Sequence, residues 1–285
     1  MVEAALRRYF RSDPNEPELI RRAMRYSVLA GGKRLRPVLV IAAAEACGQR
    51  AERVLPTACA VEMIHTYSLI HDDLPAMDDD DLRRGRPANH KVFGEAVAIL
   101  AGDGLLTRAF ELISENGEIN GVGPECVLKA CRAIAGGAGS GGMVGGQVLD
   151  IRLSGRPGRG TLRELHCVHR RKTAALIAAC LEAGAVLARA SMARIGALRE
   201  YGFSIGLAFQ ITDDVLDVIG DKKKLGKMGS DSRNKKLTFP GLLGLEVSRG
   251  KAEEAVAKAH RVLKPFGFSA RALHDLADYI LERDR

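Results

Sequence analysis

The sequence predicts an all-α protein. Ala-, Leu-, Glu- and Arg-rich segments recur with a period near 3.6, and alternating β-branched runs are scarce. Turn-forming clusters punctuate the chain at helix-length intervals, at Ser12–Pro17, Gly31–Gly32, Cys47–Arg50, Met77–Pro87, Glu115–Pro124, Ser154–Gly160 and Gly220–Leu237. No Pro/Ser-rich linker, charge block or internal repeat divides the 285 residues, so 1–285 reads as a single domain.

Taken in order, the first segment is charged throughout and lacks the apolar core of a secretory leader. Gly31-Gly32-Lys33-Arg34-Leu35-Arg36-Pro37 then sets three cations in four positions behind a glycine pair. Apolar sequence through Tyr67-Ser68-Leu69-Ile70-His71 leads into Asp72-Asp73-Leu74-Pro75-Ala76-Met77-Asp78. Asp72 and Asp78 are six apart, about 240° round an ideal helix, and would not share a face. Pro75 removes a backbone donor and should break the helix, letting Asp78 fold back. Arg83-Arg84-Gly85-Arg86-Pro87 follows almost at once.

Further on, His169-Arg170-Arg171-Lys172-Thr173 opens an apolar stretch to Ala188, which contains Glu182 and falls short of a membrane span. Gly206-Leu207-Ala208-Phe209-Gln210-Ile211-Thr212 leads into Asp213-Asp214-Val215-Leu216-Asp217, where Asp213 and Asp217 share a helical face and can grip one ion. The charged, Gly-containing stretch Asp221 to Lys236 has the make-up of a lid. Carboxylates facing apolar surroundings are costly unless neutralised. A hard divalent cation is the usual neutraliser of all-oxygen sets, and Mg²⁺ binds through one or two carboxylates plus a substrate's phosphates. Basic runs beside both clusters are what a diphosphate site needs. Two solvated acidic helix ends would explain one cluster but explain the pair poorly.

Six cysteines (Cys47, Cys59, Cys126, Cys131, Cys167, Cys180) show no CxxC spacing and sit mostly in apolar helical context, so free buried thiols in a reducing cytosol are expected. The net charge of +8 does not interleave with aromatics, tryptophan is absent, and no nucleic-acid module appears. Anionic substrates account for the excess, and neither nucleic acid nor an integral membrane segment is expected.

The runs Gly31 to Pro37, Glu62 to Asp78 and Leu82 to Pro87 lie in the order and spacing of a known family, as do Gly142-Met143-Val144-Gly145-Gly146-Gln147, Lys172-Thr173 and Phe209 to Asp217. Through them the chain resembles, over nearly its whole length, the trans-isoprenyl diphosphate synthases, and within them the short-chain bacterial farnesyl diphosphate synthases. One departure is Ala88, where threonine is the family's residue. The resemblance implies an isoprenoid synthase-type helical bundle around a central hydrophobic cavity, and a helix through the Gly-rich segment Gly136 to Gly146. It also implies a cytoplasmic homodimer that elongates allylic diphosphates with isopentenyl diphosphate, using Mg²⁺ with Mn²⁺ as a possible substitute.

The roles follow the same resemblance. Asp72, Asp78 and Asp213 would hold the metals, with Asp73 counted among the catalytic acids. Arg83, Lys172, Lys227 and Lys236 would draw charge off the leaving diphosphate, assisted by Thr173 and Gln210. Lys33, Arg36, His65 and Arg84 would hold isopentenyl diphosphate without metal; His65 stands seven before Asp72, on the same helical face. Gln147 and Asp150 would support the site. A terpene cyclase would not need the second basic set, and non-catalytic subunits usually lose aspartates. Product length would be set one turn before Asp72, at Tyr67 and Ser68. An aromatic there goes with a C15 product in the family, and a smaller residue with C20.

Overall fold

The computed structural model describes residues 1–11, 13–119, 121–154, 160–219 and 237–283. Lys227, Lys236 and the proposed lid from Asp221 to Lys236 lie outside them. The early helices are α1 (Val2–Tyr9), α2 (Glu18–Val28), α3 (Leu35–Ala46) and α4 (Leu55–Asp72). A hairpin of β1 (Leu82–Arg83) and β2 (Arg86–Pro87) leads to α5 (Asn89–Phe93), α6 (Glu95–Glu115), α7 (Pro124–Ala138), α8 (Met143–Ser154) and α9 (Leu162–His169). The last are α10 (Ala175–Leu187), α11 (Met192–Ile219), α12 (Phe239–Leu243), α13 (Leu245–Leu263) and α14 (Arg271–Glu282).

Among the described residues, the breaks expected at Ser12–Pro17, Gly31–Gly32, Cys47–Arg50, Met77–Pro87 and Glu115–Pro124 each separate two of these helices, while those at Ser154–Gly160 and Gly220–Leu237 lie largely outside them. Pro56 and Pro124 occupy first turns, where a missing N–H costs nothing. Thr161 and Glu164 form a reciprocal capping box that starts α9. The α10 helix is apolar almost all round, and α3, α7 and α11 pack against it, so it forms the centre of the core. Long α4 and α6 pack together beside it, and α13 lies along α11. Among the described residues no helix is long and apolar enough to cross a membrane, and all six cysteines are free.

Two features depart from expectation. The segment Gly136 to Gly146 is not one helix: α7 ends at Ala138, a turn follows, and α8 starts at Met143. Glycines at 139, 141 and 142, with only Ser140 among them, leave the helix too little side chain to pack there. Short strands also replace loop at Leu82–Pro87, where Arg84 and Gly85 both adopt positive φ (54° and 73°), the geometry of a tight hairpin turn.

Candidate active site

The Gly-Gly-cation run forms a crossing between α2 and α3. Gly32 has φ +122°, and a Cβ there would lie 2.6 Å from the Arg84 guanidinium, so only glycine lets the loop close over that side chain. Arg84 donates to the Gly31 carbonyl in return. Arg34, buried at the start of α3, pairs with Glu62 of α4 at 2.6 Å and Glu3 of α1 at 2.6 Å, and donates to the Val28 carbonyl at 2.7 Å. Glu62 is 1% exposed and lies 3.9 Å from Arg84.

These braces frame a cavity of about 440 Å³. Lys33, Arg36, His65 and Arg84 supply its cationic and polar wall, and Phe209, Leu276, Tyr279 and Ile280 its apolar one. The four residues assigned to isopentenyl diphosphate from the sequence therefore meet in one place. Arg36 Nε and His65 Nδ1 are shut away from solvent and have no hydrogen-bond partner among the described residues. Burial first, then Arg36 and Arg84, pushes the His65 pKa well below its ordinary value, so the ring is neutral. Clustered cations, an unpartnered guanidinium N–H and a roomy cavity are what a polyanion would satisfy.

The aspartate side begins where α4 stops. The helix ends at Asp72, before Pro75, and the Asp78 N–H donates to the Asp72 carbonyl at 2.8 Å, so the chain folds back as the proline predicts. Burial first raises the Asp72 carboxyl to about 6; nearby Lys172 pulls it down, while Asp78 pushes it up again. Asp73 differs: it is 2% exposed and accepts from Arg83, at 2.8 Å from Nε. It therefore positions a cation rather than standing beside Asp72 as an equivalent acid. Adjacent hairpin residues thus serve two sites, Arg83 the aspartates and Arg84 the cavity.

Lys172 and Thr173 lie in a π-helical turn, Arg170–Ala174, between α9 and α10. The widened turn comes so close to α8 that a Cβ on Gly146 would meet the Lys172 backbone nitrogen at 2.2 Å. Lys172 Nζ pairs with Asp150 at 2.6 Å, and the side-chain amide Oε1 of Gln147 is buried without a partner among the described residues. On α11, Gln210 donates to Asp213 at 3.3 Å, and Arg283 pairs with Asp213 at 2.8 Å. Asp214 accepts from the Phe239 N–H at 2.8 Å, and His169 stacks on Phe239 at 5.5 Å, fastening α12. Asp217 is exposed on the same helix.

Tyr67 is buried with its ring edge-on to His71 at 5.7 Å, and His71 reaches the Ile99 carbonyl of α6 at 3.0 Å. Ser68 donates to the His65 carbonyl within its own helix at 2.9 Å. Ala88, in place of the family's threonine, is fully buried.

The reading from sequence missed Arg34 and Glu62 as a brace, Arg283, and the apolar wall from α14. Only Glu62 had a local signal, a carboxylate one turn before His65.

A profile of the polyprenyl synthetase family matches residues 17–265. The chain is 49% identical over 269 residues to the farnesyl diphosphate synthase of Bacillus subtilis (strain 168), covering 94% of this chain and 90% of that protein. It is 48% identical over 271 residues to a chloroplastic geranylgeranyl pyrophosphate synthase of Capsicum annuum, covering 94% and 73% respectively. Among solved structures it is similar to an FPP/GFPP synthase from Zymomonas mobilis, with TM-score 0.85, 39% identity, and coverage of 98% of this chain and 96% of that one. By helix order, by the residues brought together and by these likenesses, the chain belongs to the polyprenyl synthetase family.

Proposed function

We propose that the protein condenses isopentenyl diphosphate with dimethylallyl and then geranyl diphosphate, releasing farnesyl diphosphate. The observation that carries this is the pairing of a cation-lined cavity with two aspartate clusters beside it. His65 of the cavity and Asp72 share α4, and Phe209 of the cavity carries Arg283, which reaches Asp213. One diphosphate fits the cavity on fixed cations. A second, the allylic one, would be held on the aspartate side, where Asp72, Asp78 and Asp213 would hold the divalent cations that offset its charge.

The donors suit a hard cation: they are all oxygen, and burial leaves Asp72 with a raised pKa that a positive partner would relieve. Mg²⁺, or Mn²⁺ in its place, held by Asp72, Asp78 and Asp213 would take up the charge of the departing diphosphate. Lys172, braced by Asp150, and Arg83, braced by Asp73, add fixed positive charge to that same side, with Lys227 and Lys236 assigned to it from the sequence. The allylic cation is then attacked by the double bond of isopentenyl diphosphate, held by Lys33, Arg36, His65 and Arg84. The new carbon–carbon bond leaves a cation on the isopentenyl unit, which loses a C–H proton to the released diphosphate as the product's double bond forms. Excluding water keeps the cation from being quenched.

Tyr67 supports the C15 product: its ring is buried one turn before Asp72, where it would floor an elongation tunnel. Geranylgeranyl diphosphate is the second reading, supported by the Capsicum annuum relative's name. A cytoplasmic homodimer completes the proposal, with exposed Ile99 and Leu100 on α6 and Leu128 on the adjoining α7 as apolar surface for a partner copy. The test is purified protein with dimethylallyl and isopentenyl diphosphates and Mg²⁺. Farnesyl diphosphate is expected, EDTA should abolish it, and Tyr67→Ala should shift products to C20 or longer. Activity that survives exhaustive EDTA treatment would refute the mechanism. A Tyr67→Ala variant that still stops at C15 would remove Tyr67 as the floor, and a monomeric mass by light scattering would remove the dimer.

A further inference from the structure

Arg283, the residue after α14, has its side chain 3% exposed although it stands near the end of the chain. Its guanidinium lies 3.9 Å over the Phe209 ring and donates to the Phe209 carbonyl at 2.7 Å. The same Nη2 reaches Asp213 Oδ1 at 2.8 Å, while Gln210 donates to Oδ2 at 3.3 Å. Arg283 Nε is buried and has no partner among the described residues. A guanidinium keeps its charge when buried, so this one needs an anion nearby. Among the described residues, Asp213 is the carboxylate within ion-pair distance. That carboxylate is the one assigned to the cation on α11.

We propose that Arg283 is a resident counter-ion of the second aspartate cluster: it occupies Asp213 until a divalent cation displaces it. The inference rests on the preceding reading of Asp213 as a cation ligand. It gives the chain's end a positioning role. Leu276, Tyr279 and Ile280, on the helix that ends in Arg283, wall the diphosphate cavity. Loading a cation at Asp213 therefore frees the end of the helix that borders the other substrate. By reciprocity, whatever favours the Arg283–Asp213 contact weakens cation binding by the same factor.

The test is a Mn²⁺ titration of metal-free protein, with free aqueous Mn²⁺ read by electron paramagnetic resonance. Wild type, Arg283→Gln, Arg283→Lys, Asp213→Asn and the Asp213→Asn/Arg283→Gln double variant are compared, each checked for folding by circular dichroism. Arg283→Gln should bind Mn²⁺ about fivefold tighter, a modest factor because Asp213 is partly exposed and its pairing is screened. Arg283→Lys, which loses the planar fork and the stacking, should bind about twofold tighter and carries the test if the glutamine variant does not fold. The gain should vanish in the Asp213→Asn background. Equal or weaker binding by both Arg283 variants, or a gain that persists without the Asp213 charge, overturns the proposal. If Asp213→Asn leaves Mn²⁺ affinity at the wild-type value, Asp213 is no ligand and the inference falls with that assignment. If the tightening appears but prenyl transfer does not, the counter-ion stands and the proposed reaction alone is refuted.

Discussion

The cavity around Arg36 and the aspartate side around Asp72 and Asp213 carry opposite charge and are held in place differently. In the cavity, cations are fixed by a buried scaffold: Arg34 and Glu62 lock the crossing between α2 and α3, and Gly32 closes over Arg84. Two of its side-chain nitrogens, Arg36 Nε and His65 Nδ1, have no partner among the described residues. On the aspartate side the described groups lean on protein partners, Asp73 on Arg83, Lys172 on Asp150 and Asp213 on Arg283. One region is built to receive an anion directly. On the proposed mechanism the other would receive its anion through cations, keeping the Asp73–Arg83 and Lys172–Asp150 pairs and giving up only the Arg283–Asp213 pair. The proposed reaction between two diphosphates would gain from this difference, because each substrate would be recognised by a chemistry that the other site does not offer.

The largest expected effect breaks the aspartate side. Asp72→Asn should lower kcat about a thousandfold, because the lost interaction strengthens as the leaving group departs. A loss confined to KM would remove the distinction between the regions. Next in size, Arg36→Ala should raise the KM for isopentenyl diphosphate about tenfold to a hundredfold, by losing a charge-assisted phosphate contact. Equilibrium dialysis with EDTA present sharpens the comparison: isopentenyl diphosphate should still bind wild type, and the allylic substrate should not. Binding that requires metal at both sites would erase the contrast.

Gly146→Ala probes the packing that carries Lys172 to Asp72. Its Cβ would lie 2.2 Å from the Lys172 nitrogen, so α8 must shift, at a cost of about 1–3 kcal/mol in thermal unfolding. Unchanged stability and activity would mean that the π-helical turn has room to give. The smallest effect concerns acid. The folded-state pKa of His65 is depressed, so an unfolded chain takes up a proton near pH 6.5 that the folded one does not. Stability from this residue is full above that pH and is lost as pH falls below it. Between about pH 7 and 5.5, His65→Gln should therefore lose about 1 kcal/mol less stability than wild type. Equal losses would show the ring to be protonated in the fold.

Much of this was legible because the signals are local. Pro75 turns Asp78 back toward Asp72, and the expected breaks among the described residues separate helices because Gly and Pro act on their own backbone. The cavity wall of Lys33, Arg36, His65 and Arg84 was legible through resemblance, since no spacing rule joins residue 33 to residue 84. What stayed hidden depends on tertiary return. Arg34 sits between two cavity cations in sequence yet turns inward to Glu62 and Glu3, which no periodicity foretells. Arg283 reaches Asp213 across 70 positions because α14 packs back on α11. The Gly-rich segment misled in the opposite sense: it splits into two helices, yet Gly146 still provides the close approach expected of it. Asp73 and Asp78 look alike in the sequence, and only burial separates them.

The unpartnered side-chain nitrogens of the cavity bear on how the protein should be handled as a material. Like charges gathered in one void repel each other, so the ligand-free fold carries a standing electrostatic load at Arg36 and Arg84, whose pKa values burial drives down. A polyanion relieves that load and adds its own binding free energy, about 2.7 kcal/mol at a hundred times its dissociation constant. The melting temperature should thus climb with inorganic diphosphate in the buffer. Storage in dilute, phosphate-free solution is the condition under which this enzyme should age fastest.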